Sequence, residues 1–176
     1  MPVLDASGCI VAPGLVNAHM HSGENFNPGL YENLPLDLWF VRLHQVTRDR
    51  PPEADEIHVR TALGALLMLR SGTTCAADFV FEAPEITLEP LEPIVQAYRD
   101  LGIRATVILG VADRSFLASL PLEPAERAEA PPEASVPSAS RILEVAEAAV
   151  DRWREPAGLT GIAHRHRARP VGTAAL

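Results

Sequence analysis

His19 and His21 are the residues of this 176-residue chain whose types and spacing bear most directly on chemistry. They close the stretch Pro13-Gly14-Leu15-Val16-Asn17-Ala18-His19-Met20-His21, an apolar segment that reads as a strand. Side chains alternate along a strand, so residues two apart point the same way and two imidazoles there reach one ion. Imidazole pairs suit borderline metals, so the sequence predicts one divalent metal ion on His19 and His21, zinc before iron. Pro13-Gly14 turns the chain into the strand, and Ser22-Gly23-Glu24-Asn25 opens a polar loop after it. Sites are commonly built at such strand-to-loop junctions, which makes Glu24 and Asn25 the candidate substrate contacts. No catalytic acid or base is assigned from the sequence.

The remaining chemistry-bearing residues read as structural. His44 has no second ligand at helical spacing and is expected to be packed or half-exposed, and His58 falls on the first turn of a helix and is expected at the surface. His164 and His166 form a second His-x-His, but arginines flank both and would repel a dication, so a solvated basic tail is the expectation. Asp78, near the end of a β-prone run, is expected either to assist a site or to cap the loop that follows. Cys9 and Cys75 supply neither a disulfide framework nor a Cys-x-x-Cys pair and are expected to be reduced packing residues.

The elements that must position these side chains alternate. After the first strand, residues 22–35 form a Gly, Asn and Pro-rich loop, and residues 36–48 are apolar nearly all round, predicting a short helix. Pro51-Pro52-Glu53 starts a longer helix to Ser71, with Ile57, Ala62, Leu63, Leu66, Leu67 and Arg70 as its expected periodic set and Gly72 as its cap. A buried strand over 73–80 follows, then a helix over 91–101 closed by Gly102, then a strand over 103–110. Residues 113–137 read as a long polar loop, and Ser138 or Ser140 caps a helix with Ile142, Val145, Ala146, Ala149, Val150 and Trp153 in one stripe. Strand, helix, strand, helix, strand is the pattern of right-handed parallel α/β units.

The stretch Asp5 to His21 resembles the start of the catalytic barrel in the amidohydrolase superfamily. Gly29-Leu30-Tyr31-Glu32-Asn33-Leu34-Pro35-Leu36, Met68-Leu69-Arg70-Ser71-Gly72-Thr73-Thr74 and Leu101-Gly102-Ile103-Arg104-Ala105 are similar to its branch of deaminases and chlorohydrolases. The resemblance covers residues 3 to about 160 and implies an α/β fold: a partial TIM (β/α)8 barrel of three to four β/α units. It also implies a β-sandwich remnant over residues 1–12, read as strands Val3–Asp5 and Cys9–Val11 around a turn, with the barrel over 13–162 and a basic tail over 163–176. Relatives often carry an arginine before the glycine matched by Gly29, where this chain has Pro28.

By the same resemblance, the intact enzyme hydrolyses C–N or C–Cl bonds of a small nucleobase-like heterocycle. Its metal is held by the first-strand pair, by histidines from two later strands and by an aspartate from the last; metal-bound hydroxide is the nucleophile. With two of these ligands matched, by His19 and His21, the polypeptide as written is expected to have little or no hydrolase activity, and the alternative is a non-catalytic remnant lacking the complete metal site. A homo-oligomer is a further expectation for the intact family member.

Composition bounds the rest. A complete barrel typically needs ~250 residues, so an N-terminal fragment is expected. The chain lacks a long apolar run and a signal-peptide pattern, which predicts no membrane span and a cytoplasmic protein. A net charge of -8 argues against a nucleic-acid surface. All fifteen basic residues are arginine, which excludes a carboxylated lysine bridging a metal pair within this chain. The basic residues after Ile162 stand where a fourth buried strand is due; read one base later they permit Ile-Ala-Ile-Gly-Pro, so a reading-frame shift near residue 163 is the expectation.

Overall fold

The computed structural model describes residues 3–30, 32–36, 38, 39, 42, 50–81, 87–110, 123–129, 137–154 and 160–164. Its four strands are β1 (Leu15–Met20), β2 (Thr73–Val80), β3 (Arg104–Leu109) and β4 (Thr160–His164), in one sheet of order β1-β2-β3-β4. All three pairings are parallel, and sequence neighbours are sheet neighbours, as in consecutive units of a barrel wall. The helices are α1 (Ala54–Arg70), α2 (Leu91–Leu101), the short α3 (Pro124–Glu129) and α4 (Ala139–Trp153). Among the described residues, no helix is long and apolar enough to cross a membrane.

The helices cover one face of the sheet. From β2 come Ala76 and Val80, from β3 Ala105, Val107 and Leu109, all buried against helical side chains. In α2 the buried set is Leu91, Ile94, Val95, Ala97 and Tyr98; Leu91, Ile94, Val95 and Tyr98 make the i, i+3, i+4, i+7 pattern of a core-facing stripe. Gly102 ends that helix at φ 65°, a left-handed conformation that costs glycine nothing. The α4 stripe is Ile142, Val145, Ala146, Ala149 and Trp153, with Val150 of the expected set half-buried at its edge; the Ser138 hydroxyl caps the helix by accepting from the Arg141 amide at 3.2 Å.

Four expectations need correction or relocation. The buried face of α1 is Ile57, Arg60, Thr61, Gly64, Ala65 and Met68, while Leu63, Leu66, Leu67 and Val59 face solvent. The reason is close approach: a Cβ at Gly64 would stand 2.2 Å from the Asn25 amide nitrogen, so only the small-residue face fits. Residues 3–14 form no strand; they are almost wholly exposed, and the turn there is held by the Asp5 carboxylate accepting from the Ser7 amide at 2.9 Å. A strand needs a ladder partner, and these residues have none among the described ones. Within the expected long loop, residues 124–129 make a helical turn, consistent with Pro at its first position and Ala, Glu and Arg after it. The fourth strand is Thr160–His164, whose backbone pairs with β3 from Ala105 to Leu109 and takes in two residues of the expected tail. The expected helix over 36–48, with His44, falls largely outside the described residues, as does His166.

Candidate metal centre

The ladder between β1 and β2 is irregular where the histidines lie. Asn17 pairs with Ala76 and Met20 with Asp78, so Ala18 and His19 together oppose Ala77. This is a β-bulge, a device that re-aims side chains. Asn17 and Met20 both turn toward the helices, where the Asn17 amide meets the Met68 sulfur at 3.6 Å and Met20 packs on the core. His19 is thereby left on the face of the sheet opposite the helices, and His21 follows with the same aspect.

The two imidazoles converge. His19 Nε2 and His21 Nε2 are 3.1 Å apart, with ring centroids 4.8 Å apart and planes at 85°. A tetrahedral ion bonded at ~2.0–2.1 Å sets two ligand nitrogens ~3.3 Å apart, so the pair fits a shared zinc ion. His21 Nδ1 lies 2.8 Å from the Phe79 carbonyl oxygen, which requires Nδ1 to carry the proton and leaves the Nε2 lone pair for a metal. Phe79 also lies against both rings, its centroid 6.2 Å from that of His19 and 5.7 Å from that of His21. Among the described residues, no group of three or more His, Cys, Asp or Glu side chains gathers here or elsewhere.

Behind the pair runs a buried polar network. Ser22 and Asp78 are fully buried. Asp78 accepts from the Ser22 amide at 2.8 Å and from the Tyr98 hydroxyl at 2.7 Å, and Thr61 Oγ1 stands 3.4 Å from Ser22 Oγ. Burial pushes the Asp78 carboxyl above its ordinary range, against the pull of its hydrogen bonds from Ser22 and Tyr98. Burial and the Asp78 charge likewise raise the Tyr98 phenol. Asp78 therefore caps the 3-10 turn Ser22–Glu24, on the loop after β1 rather than the loop after its own strand.

Glu24 is half-buried in that turn; desolvation raises its carboxyl, His21 opposes the shift and Asp78 adds to it. Asn25 follows, and its amide donates to the Arg60 carbonyl of α1 at 2.8 Å, tying the loop to the helix. Two other described histidines stand elsewhere. His58 bridges to Asp100 at 2.9 Å between α1 and α2, and the backbone of His164 pairs with Leu109. Sequence reasoning missed Ser22, Tyr98 and Phe79; the available signal was Asp78 itself, an acid inside an otherwise apolar strand.

A family model described as "Amidohydrolase family" matches residues 10–164. A 5-methylthioadenosine/S-adenosylhomocysteine deaminase of Natronomonas pharaonis is 36% identical over 109 residues, covering 61% of this chain and 23% of that protein. A 5'-deoxyadenosine deaminase of Methanococcus vannielii is 32% identical over 111 residues, covering 63% and 24%. The chain thus spans about a quarter of the length of these curated relatives. Among solved structures, a triazine hydrolase from Arthrobacter aurescens superposes with TM-score 0.73 at 21% identity, covering 92% of this chain and 35% of that one. A zinc-bound adenosine deaminase from Xanthomonas campestris gives TM-score 0.60 at 25% identity, covering 86% and 29%.

Proposed function

This chain belongs to the amidohydrolase family, and from that premise we propose that it serves metal-dependent hydrolysis of a C–N or C–Cl bond on a small heterocycle. The observation that carries the reading is the convergence of His19 and His21 Nε2 at 3.1 Å, with His21 fixed by the Phe79 carbonyl. The zinc-bound adenosine deaminase among the structural relatives supports zinc as the metal. The names of the curated relatives support an adenine-type nucleoside as substrate, and the resemblance to a triazine hydrolase adds fold support for the same barrel.

In this proposal His19 and His21 hold the ion through Nε2. When bound, zinc acidifies water and so supplies the nucleophile near neutral pH. Phe79 walls one side of the pair. The Glu24 carboxyl, half-buried and raised, meets the polar edge of the ring as acceptor or, when protonated, as donor. Asn25, its carboxamide set over Gly64 and donating to the Arg60 carbonyl, holds this loop to α1.

The test is release of ammonia from 5-methylthioadenosine by the zinc-loaded chain, compared with its His19→Ala variant. Slow turnover that needs zinc and is lost in the variant is the expected result, because a pair of imidazoles leaves the ion weakly held. Zinc bound at the pair without turnover favours the second reading, a metal-binding but non-catalytic chain. Turnover that survives His19→Ala or chelation contradicts the proposal.

A further inference from the structure

Asp78 is a buried acid whose partners define what it does. Its carboxylate accepts from the Ser22 amide at 2.8 Å and from the Tyr98 hydroxyl at 2.7 Å, and it is fully buried. Ser22 directly follows His21, so the amide that Asp78 captures belongs to the peptide joining the two residues. Phe79, the next residue of β2, supplies the carbonyl that takes the His21 Nδ1 proton at 2.8 Å. Two adjacent residues of one strand therefore fix His21 from two sides, one by its ring and one by its backbone. A core position there would be filled as well by valine or leucine, at lower desolvation cost. Neither of those side chains has the two polar atoms that meet the Ser22 amide and the Tyr98 hydroxyl together, so the position is set by geometry and not by packing alone.

We propose that Asp78 is the positioning residue of the metal centre: by holding the Ser22 amide and the Tyr98 hydroxyl, it sets the backbone of His21 so that its Nε2 meets that of His19. The inference rests on the metal-site reading above. It concerns preorganisation: a ligand whose supports are lost must be re-ordered by the ion, and outer partners of metal-bound histidines typically carry 10–100-fold in affinity.

Cobalt(II) titration of the 176-residue chain, followed by visible absorption, tests it in wild type, Asp78→Ala, Asp78→Asn and Val107→Ala. Asparagine keeps one oxygen for the Ser22 amide and offers its NH2 to the Tyr98 oxygen, so it preserves both contacts. Val107 pairs with Asp78 across the ladder, so Val107→Ala removes buried bulk beside the network but none of its hydrogen bonds, and controls for packing and stability loss. The expected result is cobalt affinity about tenfold or more weaker in Asp78→Ala. Asp78→Asn and Val107→Ala should stay within about threefold of wild type, each with the wild-type spectrum. If Asp78→Ala does not fold, Tyr98→Phe takes its place, with a smaller loss in the same direction and an altered spectrum. Wild-type affinity and spectrum in folded Asp78→Ala or Tyr98→Phe, or an equal loss in Val107→Ala, overturns the inference. Failure of wild type to bind cobalt, or binding that survives His19→Ala with His21→Ala, overturns the metal-site reading and this inference with it.

Discussion

The two faces of one sheet do different work. On the helix side, Ala76, Asp78 and Val80 of β2 are buried, while on the opposite side Phe79 sits against His19 and His21, at the surface or half-buried. Strand alternation lets a single run of residues serve both: every second side chain contributes to folding and the ones between are free for chemistry. The faces are not independent. Asp78 belongs to the packed side yet holds the Ser22 amide next to His21 on the open side, which makes it the point where packing and the geometry of the histidine pair meet.

Substitutions should sort by face. The largest effect is expected from Trp153→Ala, which empties a nearly fully buried site and should cost ~3–5 kcal/mol of unfolding free energy in a urea titration. Tyr98→Phe comes next, removing a hydrogen bond to a carboxylate at a cost of ~1.5–3 kcal/mol. On the open face, His19→Ala should leave metal-free stability within ~0.5 kcal/mol but weaken zinc at least about tenfold, equivalent to ~1.4 kcal/mol. Leu66→Glu, on the solvent side of α1, should shift stability by less than ~0.5 kcal/mol; a larger loss would mean that this leucine face is covered in solution. The smallest effect concerns Asp100, which lies below its ordinary value of 3.8 because Gln96 and then His58 donate to it. A depressed folded-state value gives stability that is present above the ordinary value and lost as pH falls through the folded one, so Asp100→Asn should flatten the acid limb below about pH 4.

Legibility in the sequence follows the same division. Strand order, helix order and the α2 and α4 stripes were readable because period-2 and period-3.6 patterns are local, and Gly102 and Ser138 mark their ends by their own chemistry. The His-x-His pair was readable for the same reason. Its bulge was not, since two residues opposing Ala77 is a property of pairing with a strand more than fifty residues away. The face of α1 was misread because leucines outweigh small residues in any periodicity count, whereas packing chose Gly64 and Ala65 to admit Asn25. The role of Asp78 was open because its partners, Ser22 and Tyr98, come from two other elements. The expected strands before β1 failed for want of a pairing partner, which no local pattern reports.

The central claim is that His19 and His21 form one metal site, and zinc calorimetry on the purified chain tests it most directly. The account predicts one zinc per chain in wild type, weakened in either single alanine variant and abolished in the double variant. Equal zinc uptake by the double variant, or none by wild type, would contradict it.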